Sequence, residues 1–139
     1  NSASELIQSA LNSIGIKVDI QIMDSGSELP VLNAGNIDVD WMRWTWPDPV
    51  IESLLWKSPG WTNQMSDPDL DKLASTADTQ LDPAKRIDAV KAIQTYVLKQ
   101  AYVAPIATDW ILQAASAKVQ GYQWDAVGYA TLIDVSLAQ

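Results

Sequence analysis

Tryptophan and aspartate concentrate between Trp41 and Pro49. Three of the seven tryptophans, Trp41, Trp44 and Trp46, lie within six residues of one another, and Asp48 follows between two prolines. Tryptophan offers a large apolar surface, one N–H donor and few rotatable bonds, so it suits either a protein core or the wall of a binding cleft. The pattern fits both a core strand that ends in a capped turn and a ligand-facing segment, and composition alone does not separate them.

Two acidic patterns could carry chemistry. Asp38 and Asp40 are two residues apart on a predicted strand and so share a face, as acid/base catalysis by paired carboxylates requires. With 17 acidic residues such a pair is expected by chance, and solvated acids are the simpler interpretation. Asp67 to Asp71 resembles half a calcium loop, but Lys72 stands where that loop needs glycine and Asp78 where it needs glutamate. We therefore predict no metal site and no cofactor.

Composition excludes several classes of protein. The chain has neither cysteine nor histidine, which rules out disulfides, zinc fingers, cysteine nucleophiles and Ser-His-Asp triads. The net charge is −8 and the nine Lys and Arg residues are scattered, which argues against nucleic-acid binding. No apolar run reaches the roughly 18–20 residues of a membrane-spanning helix, so we expect no direct membrane insertion.

The first part of the chain predicts a strand–helix–strand unit. An apolar stripe from about Ala3 to Ile14 indicates a helix that Gly15 ends. Alternating apolar residues from Ile16 to Ile22 predict a strand, a short helix follows from about Glu28 to Ala34, and Ile37 to Trp41 predicts a second strand. Two strands joined by a short helix imply a parallel βαβ pair. We therefore predict an α/β fold, with helices packed on a small sheet.

One dipeptide recurs ahead of the predicted helices: Asp48-Pro49, Asp67-Pro68 and Asp82-Pro83. Aspartate suits the N-cap because its carboxylate accepts free N–H groups, and proline suits the first helical position. The last helix should run from about Pro83 to Ala101 and bury Ile87, Val90, Ile93, Val97 and Ala101. Val103 to Trp110 reads as a strand, and residues 118–139 predict turns with short strands. Without a linker or repeat, residues 1–139 are predicted to form a single domain.

Alternation along the second strand assigns the tryptophans. Trp41 should face the core with Ile37 and Val39, whereas Trp44 and Trp46 should face the other side and form an apolar or stacking surface. The Pro-Gly loop that follows the next helix carries two further candidate ligand-binding residues, Trp61 and Asn63. Asp48 is a candidate both for helix capping and for ligand contact.

A series of short motifs resembles a known family over residues 4–135: Leu11 to Val18, Gly35 to Asp38, Arg43 to Pro49, Asn63 with Ser66 to Leu73, Asp82 to Arg86, Ile93-Gln94, Ala104 to Ile106 and Val119 to Gly121. Each motif is weak alone, but their order and spacing are specific. Together they resemble the C-terminal part of the substrate-binding proteins of ABC importers, in the oligopeptide, dipeptide and nickel family.

The resemblance implies a two-lobed extracytoplasmic receptor that closes around a solute and delivers it to a membrane permease, without catalysis. The chain would be a fragment, most of one lobe of a type II periplasmic-binding-protein fold. The family's ligand-facing loop corresponds to Trp44, Thr45, Trp46 and Asp48, with Thr45 supplying a hydroxyl or backbone group. Pro47 stands where peptide-binding members carry an acid for the peptide amino group, which favours a sugar or another neutral, flat ligand over a peptide.

Two other classes of protein stay open on the sequence. One is a small carbohydrate hydrolase that uses Asp38 or Asp40 with Asp48 beside a tryptophan platform. The other is an autonomous glycan- or protein-interaction module, in which exposed tryptophans form an adhesive patch.

Overall fold

The computed structural model describes residues 2–60, 66–108, 110–125 and 127–138. These residues form five helices and four very short strands. In chain order the helices are α1 (Ser2–Ser13), α2 (Ser25–Asn33), α3 (Ile51–Trp56), α4 (Pro68–Thr79) and α5 (Pro83–Lys99). The strands are β1 (Val119–Gln120), β2 (Gln123–Trp124), β3 (Ala130–Thr131) and β4 (Ser136–Leu137). The fold is thus broadly α/β, as predicted. None of the described helices is both long and apolar enough to cross a membrane.

The core lies between α4 and α5, with α3 packed against both helices. Its buried side chains are Leu70, Ala74 and Ala77 from α4 and Val90, Ile93 and Val97 from α5. Their spacing places one apolar stripe of each helix at the contact, and burial of such stripes is the main stabilising term. The predicted stripe of α5 is correct in its centre and wrong at both ends, because Ile87 is half exposed and Ala101 lies beyond the helix with a positive φ of 57°.

The aspartates ahead of α4 and α5 cap these helices as predicted. Asp67 accepts hydrogen bonds from the backbone N–H groups of Asp69 and Leu70, and Asp82 accepts one from Lys85. Asp24 does the same for α2, which therefore begins at Ser25 rather than near Glu28. The earlier start places Pro30 inside α2, beyond its first turn.

The N-terminal region differs from the predicted βαβ unit. Gly15, at a φ of +88°, ends α1 as expected, and the side chains of Gln8 and Asn12 bond to the backbone of Val18. Residues 16–24 and 36–46 are extended or irregular and form no ladder with any described residue. Strand-like alternation therefore predicted the extended backbone without the parallel pair, since a ladder needs a partner as well as a pattern.

The described strands form two small antiparallel pairs in the C-terminal region. β1 pairs with β4, Val119 opposite Leu137, and β2 pairs with β3, Gln123 opposite Thr131. Short strands were expected here. The strand expected from Val103 to Trp110 is not present in the described part of that range, where the backbone carries no ladder and Trp110 is largely exposed.

Candidate functional site

The three clustered tryptophans do not divide as alternation predicted. Trp41 is 46% exposed, and its neighbour Val39 is more exposed still, so the assignment of Trp41 to the core with Ile37 and Val39 is wrong. The reason is the missing ladder: alternation assigns sides only where a sheet has a core face. Trp44 is half-buried, Thr45 is exposed, and Trp46 is 50% exposed. Trp44 and Trp46 therefore do not form one equally exposed platform.

Trp46 lines an open surface cavity of about 310 Å³ beside α3. The lining is mostly apolar, with polar groups toward one side, and comprises Trp46, Val50, Ser53, Leu54, Lys57, Pro59 and Asp78. Ser53 is the one buried polar residue among the described side chains. An apolar hollow with a few polar groups is the usual form of a small-molecule site.

Asp48 fastens the segment that carries Trp46. Its Oδ1 accepts a hydrogen bond from the backbone N–H of Val50 at 2.8 Å, which shapes the turn ahead of α3. The same carboxylate forms a two-point ion pair with Arg86 of α5, at 2.7 Å to Nη2 and 3.0 Å to Nη1. These bonds lower the pKa of Asp48, first through Arg86 and then through the Val50 amide. The predicted N-cap role of Asp48 is wrong, because α3 begins at Ile51 and its N-cap position is Val50, which makes no side-chain cap bond. The Asp48 carboxylate instead shapes the turn before the helix and pairs with Arg86.

An ion pair stands at the polar side of the cavity. Lys57 Nζ lies 3.0 Å from Oδ2 of Asp78, on α4, and both side chains are partly exposed. The loop that begins at Lys57 is also held by Asp71, whose carboxylate accepts a 2.6 Å hydrogen bond from the backbone N–H of Ser58. The Asp71 contact thereby holds the loop at this part of the cavity to α4 independently of the Lys57–Asp78 pair.

Glu52 ties α3 to the core helices. Its two carboxylate oxygens accept hydrogen bonds from Trp56 Nε1 at 2.8 Å and from Gln94 Nε2 of α5 at 3.0 Å. Trp56 packs against the core cluster. Helix α3, which contributes Ser53 and Leu54 to the cavity lining, is therefore attached to α5 independently of Asp48.

Asp67 is occupied by protein groups on both of its oxygens. Oδ1 accepts the two capping N–H groups, and Oδ2 accepts the hydroxyls of Tyr96 at 3.0 Å and Tyr102 at 2.9 Å. The hydrogen bond to Asp67 raises the pKa of each tyrosine. The acidic run that begins at Asp67 thus serves to join α4 to the end of α5.

The predicted carboxylate pair is not the one that the structure brings together. Asp38 is exposed, whereas Asp40 is half-buried and interacts with Glu28 of α2. Burial, followed by the negative charge of Asp40, raises the pKa of Glu28. Glu28 was not identified from the sequence, because the pairing depends on how α2 lies beside the extended segment.

Of the six predicted ligand-binding residues, Trp46 lines the cavity and Asp48 anchors its edge through Val50. Trp44 and Thr45 lie on the same segment and are not among the described residues that line the cavity. Trp61 and Asn63 fall outside the described residues. Sequence reasoning missed Lys57, Asp78 and Arg86, and the only signal for Arg86 was its place in the motif that follows Asp82-Pro83.

A scan of protein-family models gives no match to this chain, and a search of curated proteins gives none either.

Proposed function

We propose that this chain is one lobe of an extracytoplasmic solute-binding protein of an ABC importer, and that the segment from Trp44 to Asp48 forms part of its ligand cleft. It would capture a small solute, without chemical change, by closure against a second lobe. The partner of the intact protein would be a membrane permease. The observation that supports this proposal is the position of Trp46, half exposed on the predicted ligand-facing segment and lining a largely apolar cavity.

The exposed apolar residues of the extended segments support an incomplete lobe. Ile16, Ile22 and Val39 are more than half exposed, although they belong to the two segments with strand-like patterning. Apolar residues with this alternation normally face a core. We propose that residues 16–22 and 37–41 form the parallel βαβ pair of a type II lobe in the intact protein.

The hydrolase alternative is weakened by the state of Asp48. The pairing with Arg86 lowers the pKa of Asp48, which is unsuited to a general acid, and an ionised Asp48 acting as base or nucleophile would have to leave the bonds that both its oxygens make within the protein. Asp38 is exposed and Asp40 interacts with Glu28, so the acid that Asp40 meets is not one of the acids predicted for the hydrolase. A binding protein needs none of these acids to exchange protons.

Titration calorimetry with panels of sugars and small peptides tests the proposal. We expect weak binding by these residues alone, because one lobe supplies only half of the contacts, and strong binding by the two-lobed protein. In that protein Trp46→Ala should weaken binding by about tenfold, whereas Trp110→Ala, which removes a tryptophan that is 85% exposed, should leave it unchanged.

Two results would contradict the proposal. One is full-strength binding of a solute by this chain alone, which would favour an autonomous interaction module. The other is turnover of a glycoside that Asp40→Asn or Asp48→Asn abolishes, which would favour the hydrolase. The flanking coding sequence offers an independent check, since the proposal expects a secretion signal and a second lobe there.

A further inference from the structure

The cavity beside α3 combines apolar walls with one exchangeable pair of opposite charges. Trp46, Val50, Leu54 and Pro59 supply apolar surface. Lys57 and Asp78 line the same cavity 3.0 Å apart, and their side chains are 41% and 30% exposed. Both charges can therefore be reached by a molecule that enters the cavity.

This ion pair is held less firmly than the Asp48–Arg86 pair. Arg86 grips Asp48 through two nitrogens, whereas Lys57 meets Asp78 through a single N–O contact. Two-point guanidinium pairs are stronger and geometrically fixed, while a lysine on its flexible stem reorients at little cost. The Lys57–Asp78 pair is therefore the one that a ligand can open.

The charges on a ligand decide what opening the pair costs. A ligand with only a carboxylate can pair with Lys57 but leaves Asp78 without its partner, and a ligand with only an ammonium does the reverse. A ligand with both groups restores a partner to each side chain. A zwitterion replaces one internal ion pair with two and so gains an ion pair. A singly charged molecule only replaces one ion pair with another.

We propose, on the basis of the function proposed above, that this cavity binds a single amino acid as its zwitterion, with a flat apolar side chain. The carboxylate would pair with Lys57, the ammonium group with Asp78, and the side chain would lie against Trp46. The volume supports one amino acid rather than an extended chain, because about 310 Å³ is at the small end of the roughly 300–1,000 Å³ range of ligand sites. Such a ligand is neutral overall, so the net charge of −8 does not repel it.

Ligand-observed NMR titration of this chain with three matched probes tests the proposal. L-phenylalanine carries both charges, 3-phenylpropionate lacks the ammonium group, and phenethylamine lacks the carboxylate. We expect L-phenylalanine to bind about two- to fivefold more tightly than either analogue, the range that one partly exposed ion pair provides. Trp46→Ala should weaken the binding of all three probes.

Two substitutions should remove this preference selectively. Lys57→Met should abolish the advantage of L-phenylalanine over phenethylamine, and Asp78→Asn its advantage over 3-phenylpropionate. Lys72→Met and Asp69→Asn, at exposed positions outside the cavity lining, are the matched controls and should change neither ratio. If a substituted chain fails to fold, the three-probe comparison on the unaltered chain still decides.

Equal affinity for the three probes, or no detectable binding of L-phenylalanine, would overturn the proposal. The general function fails on different evidence. A sugar or peptide whose binding depends on Trp46, in a protein that ignores L-phenylalanine, would leave the solute-binding function standing and remove only the amino-acid ligand. Absence of solute binding by the two-lobed protein would remove both.

Discussion

Asp48 and Arg86 are 38 residues apart in sequence and share a two-point ion pair, with N–O distances of 2.7 and 3.0 Å. The pair joins the turn before α3 to the first part of α5. Because the same carboxylate also accepts the Val50 N–H, one side chain fixes both the local turn and its place on the core helices. The position of Trp46 relative to the cavity depends on this residue.

Graded substitution of Asp48 should separate its two roles. Asp48→Asn keeps an acceptor for the Val50 N–H but loses the ion pair, whereas Asp48→Ala loses both. We expect the melting temperature to fall for Asn and to fall further for Ala, and the total tryptophan emission, to which Trp46 contributes, to shift in both variants. Thermal unfolding and fluorescence spectroscopy measure these changes. Arg86→Gln should resemble Asp48→Asn in its effect on the melting temperature. Lys85→Gln, at the exposed neighbouring position, should have no effect. Equal effects of Arg86→Gln and Lys85→Gln would contradict the role given to the Asp48–Arg86 pair.

The ion pair should make stability depend on pH in the acid range. Arg86 lowers the pKa of Asp48 below its usual 3.8, so the folded chain holds this proton less tightly than the unfolded chain. The resulting stabilisation is present above pH 3.8 and is lost as pH falls through the lowered pKa. Urea unfolding of the native chain and of Arg86→Gln should give a constant difference near pH 6 that shrinks below pH 3.8. A difference that grows on acidification would disprove this.

The tyrosines around Asp67 should titrate late. Their hydroxyls donate to its carboxylate, which raises the pKa of Tyr96 and Tyr102 above 10.0. The stabilisation is complete below pH 10.0 and disappears as pH rises through the raised values. In an ultraviolet absorbance titration, Asp67→Asn should move the late tyrosine phase to lower pH. Tyr129→Phe should leave that phase in place, because Tyr129 is exposed and distant in sequence.

Substitutions of core residues between α4 and α5 should cost far more stability than substitutions of exposed apolar residues. Ile93 is fully buried, so Ile93→Ala should lower the free energy of unfolding by about 2–5 kcal/mol through lost contacts and a cavity. Ile133 is 89% exposed, and Ile133→Ala should change the free energy of unfolding by less than about 0.5 kcal/mol. Chemical denaturation measures both values. Similar losses at the two positions would mean that Ile133 is covered in solution.

Features that depend on interactions within a few residues could be predicted from the sequence. The Asp-Pro dipeptides predicted the starts of α4 and α5, and the apolar spacing around Ile93 predicted the buried face of α5. Both depend on interactions within a few residues, where side-chain type decides geometry. The same dipeptide at Asp48-Pro49 did not mark the N-cap of α3, which begins at Ile51 after Val50.

Features that depend on contacts between residues distant in sequence could not be predicted from the sequence. Whether Trp41 faces a core depends on whether its segment pairs into a sheet. An alternating sequence pattern does not show that this pairing occurs. Arg86 meets Asp48, Lys57 meets Asp78, and Tyr96 meets Asp67 across separations of 38, 21 and 29 residues. Nothing in residue type marks one basic or aromatic residue among several as the partner. The apolar character of the segment around Trp46 could be predicted, and the charged rim of the cavity could not.

The short connection from Gln80 to Asp82 also implies an order in which parts of the chain fold. Bringing α4 against α5 closes a small loop, which costs little chain entropy, so we expect this hairpin to form early. The Asp48–Arg86 pair spans a much longer stretch and has nowhere to dock until α5 exists. Backbone amides around Trp46 should therefore exchange with solvent sooner than those around Ile93, and a bound solute would slow exchange most where the chain orders last.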